Sequence, residues 1–201
     1  MKQEQFPPQI ILQVVLTDAN VLYSRVLRDY LLYAAEYRII AVAWSREILK
    51  ETTDHLMANR PNFTQESADR LIAAMTRAFP YAERNPQPEH FERLAHLSLP
   101  DEDDRHVIAA ALAAEADIIC TRNTPDFPPE VAAEFGFTVV TADELICRLI
   151  TDFPSTMRFV HNTSVANLRG ATNESTFQAL RAAGAPHASD AMRNLIGSAA
   201  P

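Results

Sequence analysis

Short apolar runs alternate with amphipathic segments along the first 150 residues of the chain. Four runs have the composition and length of buried strands: 10–16, 38–43, 116–121 and 137–140. The segments between them repeat their apolar residues with a helical period: 20–37, 45–58, 64–79, 88–97 and one that begins near 102. Strands that alternate with helices predict an α/β fold with a mainly parallel sheet covered on both faces.

Polar residues mark several of the predicted helix starts. Ser45 can cap the helix that follows it, and Thr141 with Glu144 forms a capping-box pattern that opens a helix after the fourth strand. Three prolines between 80 and 88 indicate a loop.

The pattern changes after Pro154. Residues 154–201 are richer in Ser, Thr, Asn, Ala and Gly and have no strand pattern, although 177–183 and 189–196 keep a helical period. We therefore expect two parts, an α/β domain over 10–150 and a small helical C-terminal extension over 154–201 that ends in a frayed tail.

Composition fits a folded protein and limits the partners it can hold by charge alone. The chain has 201 residues, of which 47% are hydrophobic and 22% charged, and its net charge is -8. A protein with a negative net charge does not bind nucleic acid through many phosphate contacts unless another group neutralises the phosphates. The basic residues are 16 Arg and only two Lys, and the forked guanidinium suits carboxylate and phosphate.

The two cysteines, Cys120 and Cys147, have no spacing typical of a metal site or a disulfide framework. The first residues lack the apolar core of a signal peptide, and no stretch approaches 18 uninterrupted apolar residues. We therefore expect a reduced, cytoplasmic protein with no membrane insertion.

Four acidic residues occupy equivalent positions in the predicted fold. Asp18 ends the first strand, Glu51 lies on the helix after the second, Asp104 is in the first turn of a later helix, and Asp126 is in the loop after the third strand. In an open parallel sheet these strand ends and helix starts converge on the edge where ligands bind. Carboxylates that share a pocket repel one another, and a hard cation such as Mg²⁺ relieves the repulsion. The sequence therefore predicts a divalent metal site.

Each acidic residue also has a purely structural interpretation. Asp18 can cap a helix at a strand-to-helix junction, and Asp126 can cap a short helix after Pro128. The acidic run 101–104 can complement a helix dipole, with Asp101 as the cap, and Glu51 can be a solvated helix residue.

Three segments carry a resemblance to a known family. TDANVL, SREILKE and LPDEDDRHVIAAALAAEADIICTRNTPDFP are similar to the successive motifs of PIN-domain nucleases, in particular the bacterial VapC-type toxin ribonucleases. The likeness spans about residues 12–150, and the third segment is its most specific part. It implies a three-layer α/β/α PIN-like domain, a Mg²⁺- or Mn²⁺-dependent endoribonuclease and a small cognate antitoxin. The segment from about 154 resembles the helical extension of a longer subset of these toxins.

The same resemblance assigns site residues. Asp18, Glu51 and Asp104 match the first three acids of the family. In the fourth acidic region Asn123 stands where many relatives have Asp, and Asp126 follows three residues later. The implied catalytic residues are Asp18, Glu51, Asp104 and Asp126. Three polar residues would support them: Asn20, Thr121 and Asn123.

The resulting hypothesis is metal-assisted hydrolysis of single-stranded or looped RNA. Asp18, Asp104 and Asp126 would hold one or two Mg²⁺ ions, and Glu51 would orient or deprotonate the attacking water. Two alternatives stay open. One is a PIN-like fold kept as a non-catalytic binding module. The other is a haloacid-dehalogenase-type phosphohydrolase. It fits less well, because Asn20 replaces the second Asp of its DxD motif and because the acidic pair 103–104 precedes the strand that ends at Thr121, where that family has it afterwards. A homodimer through the early helices is expected by analogy only.

Overall fold

A four-stranded sheet forms the centre of the protein. A computed structural model describes residues 12–198. Its strands are Val14–Thr17 (β1), Ala41–Ala43 (β2), Ile118–Cys120 (β3) and Thr138–Val140 (β4). They are all parallel and lie in the order β2-β1-β3-β4. The prediction of an α/β fold around a parallel sheet is confirmed.

Both faces of the two central strands are covered by helices. Val15 and Leu16 of β1, and all three residues of β3, have no exposed surface. Because neighbouring side chains of a strand point to opposite faces, burial of consecutive residues requires cover on each side of the sheet. This confirms the predicted three-layer arrangement.

The strand order creates a crevice at one edge of the sheet. The chain leaves β1 towards β2 on one side and later returns to β3 on the other side of β1. Such a reversal opens a crevice beyond the carboxyl ends of the two central strands, where open α/β sheets bind ligands. Because Thr17 pairs with Cys120 across β1 and β3, the residues that come after them, Asp18 and Thr121, are neighbours at that edge.

Eleven α-helices lie in the described part of the chain. Eight belong to the predicted α/β domain: Ala19–Leu22 (α1), Arg25–Glu36 (α2), Arg46–Asn59 (α3), Gln65–Ala78 (α4), Pro88–Arg93 (α5), Arg105–Ala113 (α6), Pro129–Phe135 (α7) and Ala142–Asp152 (α8). Three more complete the chain: Pro154–Ala166 (α9), Asn173–Ala182 (α10) and Pro186–Gly197 (α11). Two 3₁₀ turns, Glu102–Asp104 and Thr124–Asp126, lie next to the crevice.

The sequence pattern placed most helices correctly but misjudged some of their limits. A single helix over 20–37 is wrong, because the chain breaks after α1 and restarts at α2. The helix predicted over 88–97 ends at Arg93. Residues 10 and 11 of the first predicted strand, and 199–201 of the tail, lie outside the described residues.

The predicted caps are present where the chain enters two of the helices. The Ser45 hydroxyl accepts a hydrogen bond from the amide of Ile48 at 3.2 Å, and Thr141 and Glu144 form a reciprocal capping box. These contacts satisfy amide groups that have no partner inside the helix.

The helices after Phe153 pack onto the rest of the fold and share its core. Met157, Phe177 and Met192 belong to the same buried cluster as the sheet. The fully buried His161 of α9 accepts or donates a 2.6 Å hydrogen bond with the Tyr30 hydroxyl of α2. The three helices are therefore tied to α2 and α8 by apolar and polar contacts.

Within residues 12–198, no helix combines the length and the apolar character needed to cross a membrane. Cys120 is buried, and both cysteines are free thiols.

Candidate metal centre and active site

Asp18 lies at the end of β1 and is held by several donors. Its backbone amide continues the pairing with β3 by donating to the Cys120 carbonyl at 3.0 Å. Its carboxylate accepts hydrogen bonds from the Ala19 amide at 2.6 Å, the Asn20 side chain at 2.6 Å and the Thr121 hydroxyl at 2.7 Å. The residue is only 4% exposed. Asp18 caps α1, as its structural interpretation predicts, and also faces the crevice residues of β3.

Burial raises the pKa of the Asp18 carboxyl above its ordinary value, and the negative charge of Glu51 acts in the same direction. Hydrogen bonds from Thr121 and Ala19 oppose this shift. A buried carboxylate next to other acids gains most from a cation, since a positive charge offsets both the desolvation and the repulsion.

Asn20 and Thr121, the two residues that the resemblance implies as supporting ones, both form hydrogen bonds to Asp18. The Asn20 amide donates to Asp18 and, at 3.0 Å, to the Thr121 hydroxyl, and its oxygen accepts from the Arg122 amide at 3.0 Å. Asn123 contributes differently, because its backbone amide donates to the Thr121 hydroxyl at 3.1 Å. Its side chain is exposed.

Three carboxylates come together beside Asp18. Asp101, Asp104 and Asp126 each offer an oxygen, and these oxygens lie within 4.8 Å of one another. The two 3₁₀ turns bring them close, since Asp104 ends the first turn and Asp126 ends the second. The Asp101 carboxylate accepts from the Asp103 amide at 2.9 Å, so the predicted cap is present and its remaining oxygen is available. The structure places Asp126 in this cluster and does not show the predicted cap of the helix after Pro128.

The carboxyl group of Asp104 has a raised pKa. Burial raises its pKa to about 6, and the charges of Asp18, Asp126 and Asp101 contribute further in that order. Its Oδ2 atom is buried and has no hydrogen-bond partner in the described residues. An orphaned buried carboxylate oxygen is costly unless a cation or proton satisfies it.

Glu51 contacts a histidine, His106, whose ring lies between α3 and the acidic site. Its carboxylate lies 3.1 Å from His106 Nε2, and the Glu47 carboxylate lies 3.6 Å from His106 Nδ1. Burial lowers the pKa of His106, but the hydrogen bond and charge of Glu51, with the charges of Glu47 and Asp18, outweigh it and raise the pKa. The imidazole thus lies between the Glu47 and Glu51 carboxylates of α3.

The geometry differs from the predicted metal-ligand set in one respect. Asp104 and Asp126 lie in the tight cluster, whereas the predicted third ligand, Asp18, borders it and acts on Asp104 through its charge. Asp101 takes the third place in the cluster, a residue that sequence reasoning treated only as a helix cap. Its spacing of three residues from Asp104 places it one turn away, a pattern that could have identified it. Sequence reasoning also missed His106.

The residues present fit a divalent cation. Carboxylate oxygens are the ligands that Mg²⁺ and Mn²⁺ prefer. Asp101, Asp104 and Asp126 could hold such an ion with Asp18 beside them, and the orphaned oxygen of Asp104 is the atom with most to gain from it.

The family comparison agrees with this geometry. The PIN domain family matches residues 14–125, more than half of the chain, so the protein belongs to the PIN-domain family. The matched region contains Asp18, Asp101 and Asp104 and ends one residue before Asp126. No curated protein and no solved structure matches the chain. PIN domains are generally metal-dependent nucleases, and a nuclease fold is what the family supports.

Proposed function

We propose that this PIN-domain protein is a metal-dependent endoribonuclease. The observation that carries the proposal is the convergence of Asp101, Asp104 and Asp126 within 4.8 Å, with Asp18 beside them, at the carboxyl edge of a parallel sheet. A cation held there neutralises the phosphate that a chain of net charge -8 would otherwise repel.

The residues divide the work in a simple way. Asp101, Asp104 and Asp126, with Asp18 beside them, would hold Mg²⁺ or Mn²⁺, which when bound would stabilise the charge that develops on the phosphate and promote ionisation of water. Glu51 orients the attacking water or takes its proton, and His106 holds the Glu51 carboxylate in place. Asn20 and Thr121 keep Asp18 in position. The products carry a 5′-phosphate and a 3′-hydroxyl, as the family resemblance implies.

The test is cleavage of single-stranded RNA by the purified protein with Mg²⁺, with Mn²⁺ and with EDTA. We expect EDTA to abolish cleavage. Asp18→Asn should lower cleavage by at least about 100-fold, because it removes a negative charge beside the metal site. The substitution preserves the shape of the side chain, so the fold should be retained. Asp152→Asn, on an exposed residue at the end of α8, is the matched control. Equal cleavage by Asp18→Asn and wild type would rule out the proposal. Absence of both cleavage and Mn²⁺ binding by calorimetry would favour a non-catalytic binding module.

We also propose that the protein is the VapC-type toxin of a toxin–antitoxin pair, active in the cytoplasm. An antitoxin tail that inserts an Arg or Lys would bind the acidic cluster well, because desolvated carboxylates bind a guanidinium strongly. Growth arrest on expression, relieved by a small neighbouring reading frame, would support this assignment. A homodimer is part of the same proposal and can be checked by light scattering.

A further inference from the structure

A groove leads away from the acidic site along the side of Asn20. A cavity of about 260 Å³ is lined by Asn20, Tyr23, His55, Asn59 and Arg122. A second cavity of about 370 Å³ shares Tyr23 and Arg122 with the first. The two cavities therefore adjoin, and we treat them together as one groove; the smaller is lined by Asn20, which is bonded to Asp18.

The C-terminal extension builds the far wall of this groove. Ser164 of α9, Ser175 and Ala179 of α10, and Ala183 just after α10 line the larger cavity, and their small side chains leave room in it. The guanidinium of Arg122 lies close to Gly184, where an added Cβ would be 3.8 Å from its Nη2 atom. The extension thus encloses a space next to the nuclease site.

Two arginines in the groove are free to bind an anion. Within residues 12–198, neither Arg60 nor Arg122 forms an ion pair, whereas Arg25 in the same wall is 3.4 Å from Asp29. The Arg60 guanidinium lies 5.5 Å from the centre of the Tyr23 ring. A guanidinium stacked on a ring keeps the N–H groups at its edge available to a phosphate.

Helix α3 connects the acidic site to these arginines. Glu51, His55 and Asn59 succeed one another at intervals of four residues and so lie along one face of the helix. Glu51 faces the acidic site through His106, and Asn59 lines the groove just before Arg60. A polar track therefore runs from the acids to the positively charged end of the groove.

We propose that this groove binds the single-stranded RNA segment next to the scissile phosphodiester. Arg122 and Arg60 contact backbone phosphates, and Tyr23 offers an aromatic surface to a base. The inference rests on the proposed ribonuclease function. RNA fits better than an acidic peptide, because Asn20, which lines the groove, is bonded to Asp18 of a site that would act on a phosphodiester. The groove also combines guanidinium groups with an aromatic ring, as single-strand binding sites do.

The test measures binding of a fluorescent 12-nucleotide single-stranded RNA to the full chain by anisotropy with Mg²⁺, in the Asp18→Asn background to prevent turnover. We expect Arg122→Gln and Arg60→Gln each to weaken binding about tenfold. Each should also reduce the slope of log K against log salt concentration by about 0.7, the value for one phosphate contact on a single strand. Tyr23→Leu should weaken binding about fivefold or more with an unchanged slope.

The matched control is Arg77→Gln, an exposed arginine on α4 that lines neither cavity and should bind RNA with unchanged affinity and slope. If Arg122→Gln and Arg60→Gln bind RNA like this control, the groove assignment is overturned, even if the wild type cleaves RNA. If these variants lose affinity for a Glu-rich peptide but not for RNA, the groove holds a protein tail and the inference is also overturned. A wild type that neither binds nor cleaves RNA removes the proposed function and the inference together.

Discussion

Asp104 carries a charge that the metal-free fold disfavours. Its pKa of about 6 lies above the ordinary 3.8, so between these pH values the folded protein binds a proton more readily than the unfolded chain. The contribution of Asp104 to the free energy of unfolding therefore falls as the pH rises from about 4 to above 6. Asp104→Asn removes the charge, and because the residue is only partly buried we expect a gain of about 1 kcal/mol, or about 2–4 °C in Tm, at pH 7.5 in EDTA. Thermal melts from pH 4 to 8 should show the gain shrinking as the pH falls through 6.

The same variant, Asp104→Asn, should gain little stability when a divalent cation is added. A cation at 100 times its Kd stabilises the wild type by about 2.7 kcal/mol, and Asp104→Asn should lose most of this gain. Asp103→Asn, an exposed neighbour in the same 3₁₀ turn, is the control and should behave like the wild type. A lower Tm for Asp104→Asn in EDTA, or an undiminished response to Mn²⁺, would contradict this account.

Glu51 has a position suited to water activation and is separate from the carboxylate cluster. Its carboxylate contacts His106 and lies outside the group of three acids within 4.8 Å of one another. We expect Glu51→Gln to lower RNA cleavage by about 100- to 10,000-fold, the range for loss of a general base. Its Mn²⁺ affinity, measured by calorimetry, should stay within about threefold of wild type, since the change removes no cluster ligand.

Glu47→Gln is the matched control for Glu51→Gln, since Glu47 lies one turn earlier on α3 and faces the other nitrogen of His106. This variant should retain cleavage. A parallel loss of metal binding and cleavage in Glu51→Gln would instead make Glu51 a metal ligand.

At the scale of elements, the sequence predicted the features that arise from local periodicity and missed those that depend on tertiary contacts. Strand β3 and helix α6 could be predicted because all of their buried residues are apolar. Helix α9 could not, because its buried face contains Met157, Val160, His161 and Ser164 at helical spacing, and two of these four residues are polar. His161 is tolerated there only because Tyr30 and Asn173 give it hydrogen-bond partners. The cluster formed by Asp101 likewise depends on two turns that are distant in sequence.

Asp143 anchors the last helix to the α/β domain. The residue is 8% exposed, and its carboxylate accepts hydrogen bonds from the amides of His187 and Ala188 at the start of α11, at 3.3 Å and 2.7 Å. Asp143→Ala should destabilise the protein by about 1–2 kcal/mol, because it removes a buried helix cap. Hydrogen exchange should increase in α10 and α11 and change less in β1 and β3.

The control for Asp143→Ala is Asp152→Ala, at the exposed end of α8, the helix that also contains Asp143. We expect the backbone amides of this control to exchange hydrogen at the wild-type rate. Faster exchange spread evenly over the whole protein would show that α11 does not open separately from the sheet.

On the scale of the whole molecule, the described residues of the α/β domain and of the C-terminal extension contribute to one buried cluster. Met157, Val160, Phe177 and Met192 are at most 4% exposed and belong to the cluster that contains the sheet. The extension therefore has two roles, since it covers α2 and α8 and also forms a wall of the proposed RNA groove.

A chain that ends at Phe153 tests whether the nuclease domain can fold without the extension. Removal of the three helices exposes the apolar partners of several fully buried side chains, each of which contributes about 1.5–3 kcal/mol by burial. Met157, Val160, Leu180 and Met192 alone give about 6–12 kcal/mol, which is comparable to the roughly 5–15 kcal/mol by which ordinary domains are stable. We expect the truncated chain to aggregate or to lose its cooperative melting transition. Coexpression of 154–201 as a separate chain should restore a monodisperse protein that melts cooperatively. A truncated chain that is monodisperse, melts cooperatively and binds Mn²⁺ would instead show that 10–150 is an independent domain.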